Sequence, residues 1–212
     1  MTKFIKHGDL KRARNENKTL VILCGVPGSG KTTTAKFLSQ KLNLFVASSD
    51  YIRNYYKKSY NSEDALNKKV ASECKKRLAT LLLSGTSFVI DMDFDNKSRI
   101  ERYENIGELL GYDIIKIKLD SKSNEENIAR ISKRITDFNS VDPSIIGDNC
   151  EYSNNLTEEF YYDKISKRTK FIDNEWFDFV IDNNRDISYL NDQLTNISGY
   201  VKGLSNIKKR RK

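Results

Sequence analysis

Short apolar runs alternate with longer amphipathic stretches along most of the chain. Leu20-Val21-Ile22-Leu23-Cys24, Leu44-Phe45-Val46-Ala47, Ser87-Phe88-Val89-Ile90-Asp91, Asp113 to Leu119 and Phe177 to Asn184 are each four to eight residues long and rich in β-branched and aromatic side chains. They predict strands, the first and third apolar enough to be buried on both faces of a parallel sheet. Between them, apolar residues recur at helical spacing. Ala35, Phe37-Leu38 and Leu42 mark a helix over 33–42, and Leu66, Val70, Cys74, Leu78 and Leu81-Leu82 mark one over 62–84, closed by Gly85. A third, capped by Asn96 or Ser98 and closed by Gly111, carries Ile100, Tyr103, Ile106 and Leu109-Leu110 on its apolar stripe. Further helices are expected over 124–138, 157–170 and 186–200, with a polar loop or insertion over 139–156 that holds Pro143 and Gly147. Strand alternating with helix predicts an α/β fold with a parallel sheet covered on both faces, and such sheets bind ligands at the carboxyl ends of their strands.

One connection carries most of the chemistry. Residues 25–32 read Gly-Val-Pro-Gly-Ser-Gly-Lys-Thr, which fits the phosphate-binding pattern G-x-x-x-x-G-K-[ST] between a predicted strand and a predicted helix. Gly25, Gly28 and Gly30 let the backbone curl so that successive N–H groups, with Pro27, Ser29 and Thr33 in the same stretch, surround phosphate oxygens. Lys31 reaches the β- and γ-phosphates of ATP, and the Thr32 hydroxyl takes a place on Mg²⁺. The helix N-terminus adds its partial positive charge.

Composition narrows the classes. The 212 residues suit one domain, charged residues make up 31%, and no apolar run is long enough for a transmembrane helix. The basic stretch before Lys18 has no apolar segment of the kind a secretory signal needs. Three scattered cysteines, Cys24, Cys74 and Cys150, point to reduced thiols in a cytoplasmic compartment, and a single histidine, His7, excludes histidine-based triads and metal sites. The formal charge is +8, and without the five basic residues Lys208 to Lys212 it is +3. The expected organisation is a basic arm over 1–18, one domain over 19–203 and a basic tail over 204–212. The charged ends suit either contact with a polyanion or simple solubility, and in a eukaryotic host the terminal run would suit nuclear import.

Within the nucleotide-binding superfamily, the guanine-reading Asn-Lys-x-Asp is missing: Asn67-Lys68-Lys69 and Asn96-Lys97-Ser98 both lack the final Asp. Leu83-Ser84-Gly85-Thr86 is a helix end and not a transporter signature. Four places instead resemble small P-loop kinases of the polynucleotide-kinase-like and zeta-toxin-like group, over roughly residues 20–200. They are the P-loop, Ser48 to Arg53, Val89 to Phe94, and Asn127 to Arg134. The resemblance implies a three-layer P-loop fold with a five-stranded parallel sheet and a short helical lid, here about 124–156. It also implies that Asp50 is the general base and Arg53 a ligand of acceptor phosphate. Ser49 or Asp50 would also cap the helix that follows, a role compatible with catalysis by Asp50, which is the favoured reading. Asp91, or Asp93 two residues on, would be the carboxylate on the Mg²⁺ side, and a strand-end turn explains both as well. Arg130 and Arg134, i and i+4 on one helix face, resemble lid arginines that neutralise the transferring phosphoryl group; a solvated basic face is the plainer reading. The family often places a substrate-holding arginine near Arg99 and Arg102, but a solvated helix face is the favoured reading there.

The expected activity is transfer of the γ-phosphoryl group of ATP to a hydroxyl, foremost the 5′-hydroxyl of a nucleic acid or nucleotide. A kinase of hydroxymethylated bases in DNA, a zeta-toxin-like kinase of sugar nucleotides or other small molecules, and a nucleotide-dependent switch without turnover stand as alternatives. A switch would have no use for an acceptor-activating Asp50.

Overall fold

In the computed structural model, the described residues are 18–57, 59–94, 96–120, 123–140, 165–166 and 173–210, with side chains described as far as 133 in the 123–140 stretch and as far as 204 at the end. Five strands form one sheet: β1 Lys18–Cys24, β2 Phe45–Ser48, β3 Phe88–Asp91, β4 Tyr112–Asp120 and β5 Phe179–Asp182. Their order is β2-β3-β1-β4-β5 and every pairing is parallel. The fold is therefore the α/β, five-stranded P-loop architecture expected from the sequence. The helices are α1 Lys31–Leu42, α2 Ser49–Lys57, α3 Glu63–Ser84, α4 Lys97–Leu109, α5 Asn124–Ser140 and α6 Ile187–Arg210.

The pleat divides the core in two. Leu20, Ile22, Cys24, Phe88 and Ile90 point to one face, where they meet α2, α3 and α4 through Ile52, Leu66, Val70, Leu78, Leu81 and Ile100. Val21, Leu23, Val89, Ile115 and Ile117 point to the other, against Ala35 and Leu38 of α1 and Leu190, Leu194 and Ile197 of α6. The central strands are buried on both faces, which is why β1 reads as an unbroken apolar run.

Two elements differ from the sequence expectation. The apolar stripe of α4 is rotated: Ile100 is buried, while Ile106 and Leu109 are 38% and 86% exposed. The cause is Gly107, where a Cβ would lie 2.5 Å from Ile114 Cδ1. The bare backbone descends onto β1 and β4 there, so the 100-103-107 face turns inward and the bulky positions 106 and 109 turn out. The last helix does not stop near Tyr200 but runs to Arg210, so the basic residues Lys208 to Arg210 continue α6. The arm over 1–17, the expected 139–156 loop beyond Ser140, most of the 157–170 helix, His7, Cys150 and residues 211–212 lie outside the described residues; positions 165–166 are helical.

Candidate active site

Register alone gathers the candidate residues. Ser48 at the end of β2 pairs with Asp91 at the end of β3, and β3 in turn pairs with β1, whose end leads into the glycine-rich loop. The carboxyl ends of β1, β2 and β3 therefore deliver the loop, Asp50 and Asp91 to one edge of the sheet. Asp50 stands in the first turn of α2, where a carboxylate also complements the helix dipole.

The loop has the backbone that its sequence demands. Gly25, Gly28 and Gly30 all have positive φ. At Gly28 (φ +82°) a Cβ would lie 2.5 Å from the Asn127 carbonyl oxygen, so only glycine fits between the loop and α5. Ser29 is fully buried and its Oγ has no hydrogen-bond partner among the described residues. The Lys31 ammonium is held at the loop mouth, donating to the Gly25 and Val26 carbonyls at 2.8 and 3.0 Å and pairing with Asp93 at 3.3 Å.

The two candidate metal-side carboxylates have different surroundings. Asp91 is buried and accepts a hydrogen bond from the Thr32 side chain. Burial pushes its carboxyl up to about 6, against the pull of Lys31 and with a further push from the nearby Asp50 charge. Asp93 is partly exposed and is the ion-pair partner of Lys31. Among the described residues no group of three or more His, Cys, Asp or Glu could hold a metal ion. A hydroxyl and one carboxylate do suit Mg²⁺, which keeps most of its water and takes substrate phosphates as ligands.

Arg130 reaches the site from α5. Its Nη2 donates to the Asn183 carbonyl at 2.8 Å, its Nη2 lies 3.9 Å from Glu126, and its Nη1 is buried with no hydrogen-bond partner. The base of α5 is seated on the loop by a small apolar cluster of Val26, Ile128, Ile131 and Ile165. The side chain of Arg134 lies outside the described residues. Arg53, expected as a ligand of acceptor phosphate, donates from Nη1 to Glu63 at 2.7 Å and from Nη2 to Asn67, contacts that tie α2 to α3.

Two features were missed by the sequence reading. Asn183, after β5, donates from its side chain to the Ser29 carbonyl at 2.7 Å while its own carbonyl receives Arg130. It braces the loop and the arginine together; an Asn after the last apolar strand was the only signal. A cleft of about 200 Å³ also opens beside Asp93 between α3 and α4, lined in part by Ser49, Asn67, Lys75, Asp93, Arg99 and Arg102. The two arginines are exposed, as a solvated face would be, yet their i, i+3 spacing puts both at one cleft.

Residues 20–139 match the AAA domain family AAA_33. The chain belongs to this P-loop kinase-like family. No curated protein is significantly similar to it in sequence. Among solved structures it resembles an inferred kinase of Chloroflexus aurantiacus, 18% identical, with 89% of this chain and 98% of that one covered and a TM-score of 0.58. Shikimate kinase from Acinetobacter baumannii, in complex with shikimate, is 19% identical over 90% of this chain and 96% of that one, with a TM-score of 0.52. A chain of the Pnkp1/Rnl/Hen1 RNA repair complex is 19% identical, with a TM-score of 0.56; 80% of this chain is covered but only 49% of that one. At these identities the likeness is one of fold. As for the membrane, none of the described helices is long and apolar enough to cross one.

Proposed function

We propose that this chain is an ATP-dependent kinase that phosphorylates a hydroxyl, foremost the 5′-hydroxyl of a nucleotide or polynucleotide. The observation that carries the reading is the convergence of Lys31, Thr32, Asp91 and Asp50 at one sheet edge, beside a cleft that could admit an acceptor. The loop would hold the ATP phosphates, with the unpartnered Ser29 Oγ and the loop N–H groups as donors. Thr32 and Asp91 would hold Mg²⁺, which would supply charge neutralisation to the ATP phosphates. Asp50 would orient the acceptor hydroxyl and take its proton as the acceptor oxygen bonds to the γ-phosphorus. The bond from that phosphorus to the β,γ-bridging oxygen breaks, and ADP leaves. Lys31 and the free Nη1 of Arg130 would balance the charge that spreads over the transferring group. We further assign the start of a lid to α5, because its seat on Val26 couples it to the loop.

The test is transfer of label from γ-labelled ATP to a panel of acceptors: 5′-hydroxyl DNA and RNA, DNA with hydroxymethylated bases, nucleosides, nucleotides and sugar nucleotides. Labelled product from a 5′-hydroxyl acceptor, lost in Lys31→Ala, is the expected result. ATP binding without transfer to any acceptor would favour a switch module.

A further inference from the structure

Asn183 joins the glycine-rich loop to α5 and completes a circuit of contacts around the phosphate site. Its side-chain amide donates to the Ser29 carbonyl at 2.7 Å, and its own carbonyl receives Arg130 Nη2 at 2.8 Å. The circuit closes on α5 three residues before Arg130, where a Cβ on Gly28 would lie 2.5 Å from the Asn127 carbonyl oxygen. The fit is equally close at Gly30, where a Cβ would lie 2.5 Å from Asn183 Nδ2. Asn183 is itself fastened from behind. Its N–H donates to the Asp120 carbonyl at 3.1 Å, and Gln193 of α6 exchanges two hydrogen bonds with the Asp182 backbone, at 3.2 and 3.0 Å. β4 and α6 therefore fix this asparagine independently of any ligand. The Ser29–Gly30 peptide is trans, like every other described peptide, so its carbonyl and its N–H point in opposite directions. Drawing the Ser29 carbonyl toward Asn183 turns the Gly30 N–H to the other side of the loop backbone.

We propose that Asn183 is a positioning residue for phosphoryl transfer: its side-chain amide aims the Gly30 N–H at the nucleotide phosphates and registers Arg130 against the loop. The effect on transfer rests on the kinase reading, whereas the effect on nucleotide binding requires only that the loop holds phosphates. A backbone N–H already aimed at an anion costs no reorganisation when the anion arrives. One Nη of Arg130 is anchored by the Asn183 carbonyl; the other, buried and without a partner among the described residues, is thereby kept at a fixed place beside the loop. The Ser29 hydroxyl, also buried and unpartnered among the described residues, belongs to the residue whose carbonyl Asn183 grips. One amide thus places three donors that the phosphate charge meets, and a misplacement of about 1 Å in such a site can cost about 10²-fold in rate. In this role Asn183 touches neither nucleotide nor acceptor, and no proton moves through it.

Asn183→Leu tests the donor, because leucine has nearly the shape of asparagine and no N–H to give. Isothermal titration of the full chain with ADP and Mg²⁺ is expected to show binding about 3- to 10-fold weaker than in the parent, the scale of one hydrogen bond. Asn183→Ala, which cannot crowd the loop at Gly30, should weaken ADP to a similar extent. If the side chain merely filled space, leucine would bind ADP as the parent does and only alanine would lose affinity; that result overturns the proposal. The second arm is single-turnover transfer from ATP to a 5′-hydroxyl tetrathymidylate, with both at saturation. Asn183→Leu should slow it about 10-fold, a loss that saturating nucleotide does not recover. Arg130→Gln should slow it too, and the double variant should be little slower than Arg130→Gln alone, because residues that act through one another are not additive. Effects that multiply in the double variant would overturn the link to Arg130. Thermal melts without ligand separate folding from function. A lowered Tm in Asn183→Leu, with ADP affinity and transfer rate kept, would make the contact a structural one and reject the proposal. If the parent transfers phosphate to no acceptor, the kinase reading fails, and the ADP titration still upholds or overturns the role of Asn183 in setting the loop.

Discussion

At the scale of single residues, Asp91 sets stability against its proposed role on the Mg²⁺ side. Its carboxyl is buried and pushed up to about 6, chiefly by desolvation. The folded protein therefore holds a proton on Asp91 more tightly than the unfolded chain does. Folding loses this contribution as pH rises from about 4, the ordinary carboxylate value, to about 6, and does not regain it above. Asp91→Asn keeps an acceptor for Thr32 and removes the buried charge. It should stabilise the protein at pH 7.5, by up to about 3 kcal/mol for two pKa units, and flatten the pH dependence of Tm between 4 and 6. The same variant should lose Mg²⁺-dependent nucleotide affinity. Thermal melts across pH, with and without Mg-ATP, check both halves; an unchanged or lowered Tm at pH 7.5 would contradict the account. Lys31 is the opposite case. Its ammonium has three partners, the Gly25 and Val26 carbonyls and Asp93, so Lys31→Ala should lower stability by leaving them unpaired, while the core strands and helices keep the fold, and should abolish transfer. Near-normal turnover in the folded variant would remove the loop from catalysis.

At the scale of elements, what was legible depended on how local the signal was. Strands β1 and β3, helix α3 with its Gly85 end, and the strand–loop–helix of the phosphate site were all plain in the sequence, because neighbours in the chain decide them. The inward face of α4 was not, because Gly107 owes its effect to Ile114 on another element. The bracing by Asn183 was hidden for the same reason: its partner Ser29 is distant in the chain and adjacent only across the sheet edge. The cleft needed α3 and α4 to be placed side by side before Lys75, Arg99 and Arg102 could be seen together. Tyr112 is another such tie. Its hydroxyl donates toward the Leu81 carbonyl at 2.9 Å, with the carbonyls of Leu82 and Thr86 both at 3.1 Å, fastening the end of α3 to β4. Tyr112→Phe should cost about 1–2 kcal/mol by denaturant unfolding, because the α3 end carbonyls lose a buried donor, and should leave kcat unchanged. A drop in kcat without loss of stability would show that this tie serves the site and not the fold.

At the scale of the whole molecule, charge is distributed unevenly, with five of the net eight positive charges in residues 208–212. The first three of these continue α6. If the acceptor is a nucleic acid, deleting 208–212 should weaken binding to all sequences alike and flatten the dependence of log K on log salt by at most about 3.5–4.5, the contribution of five neutralised phosphates. Turnover of a saturating short oligonucleotide should hardly change, because the candidate site belongs to the strand ends and α5. Identical salt slopes with and without the tail would favour a small-molecule acceptor. In the proposed reaction the whole fold brings a hydroxyl, held by Asp50, against ATP on the loop. Single-turnover transfer by Asp50→Asn, with ATP affinity measured in parallel, tests it most directly. ATP affinity is expected to stay close to that of the parent and transfer to slow by about 10²- to 10⁴-fold, the scale of a general base. Transfer at the parent rate would leave Asp50 as a helix cap, and loss of ATP binding would make it part of the nucleotide site; either result contradicts the account.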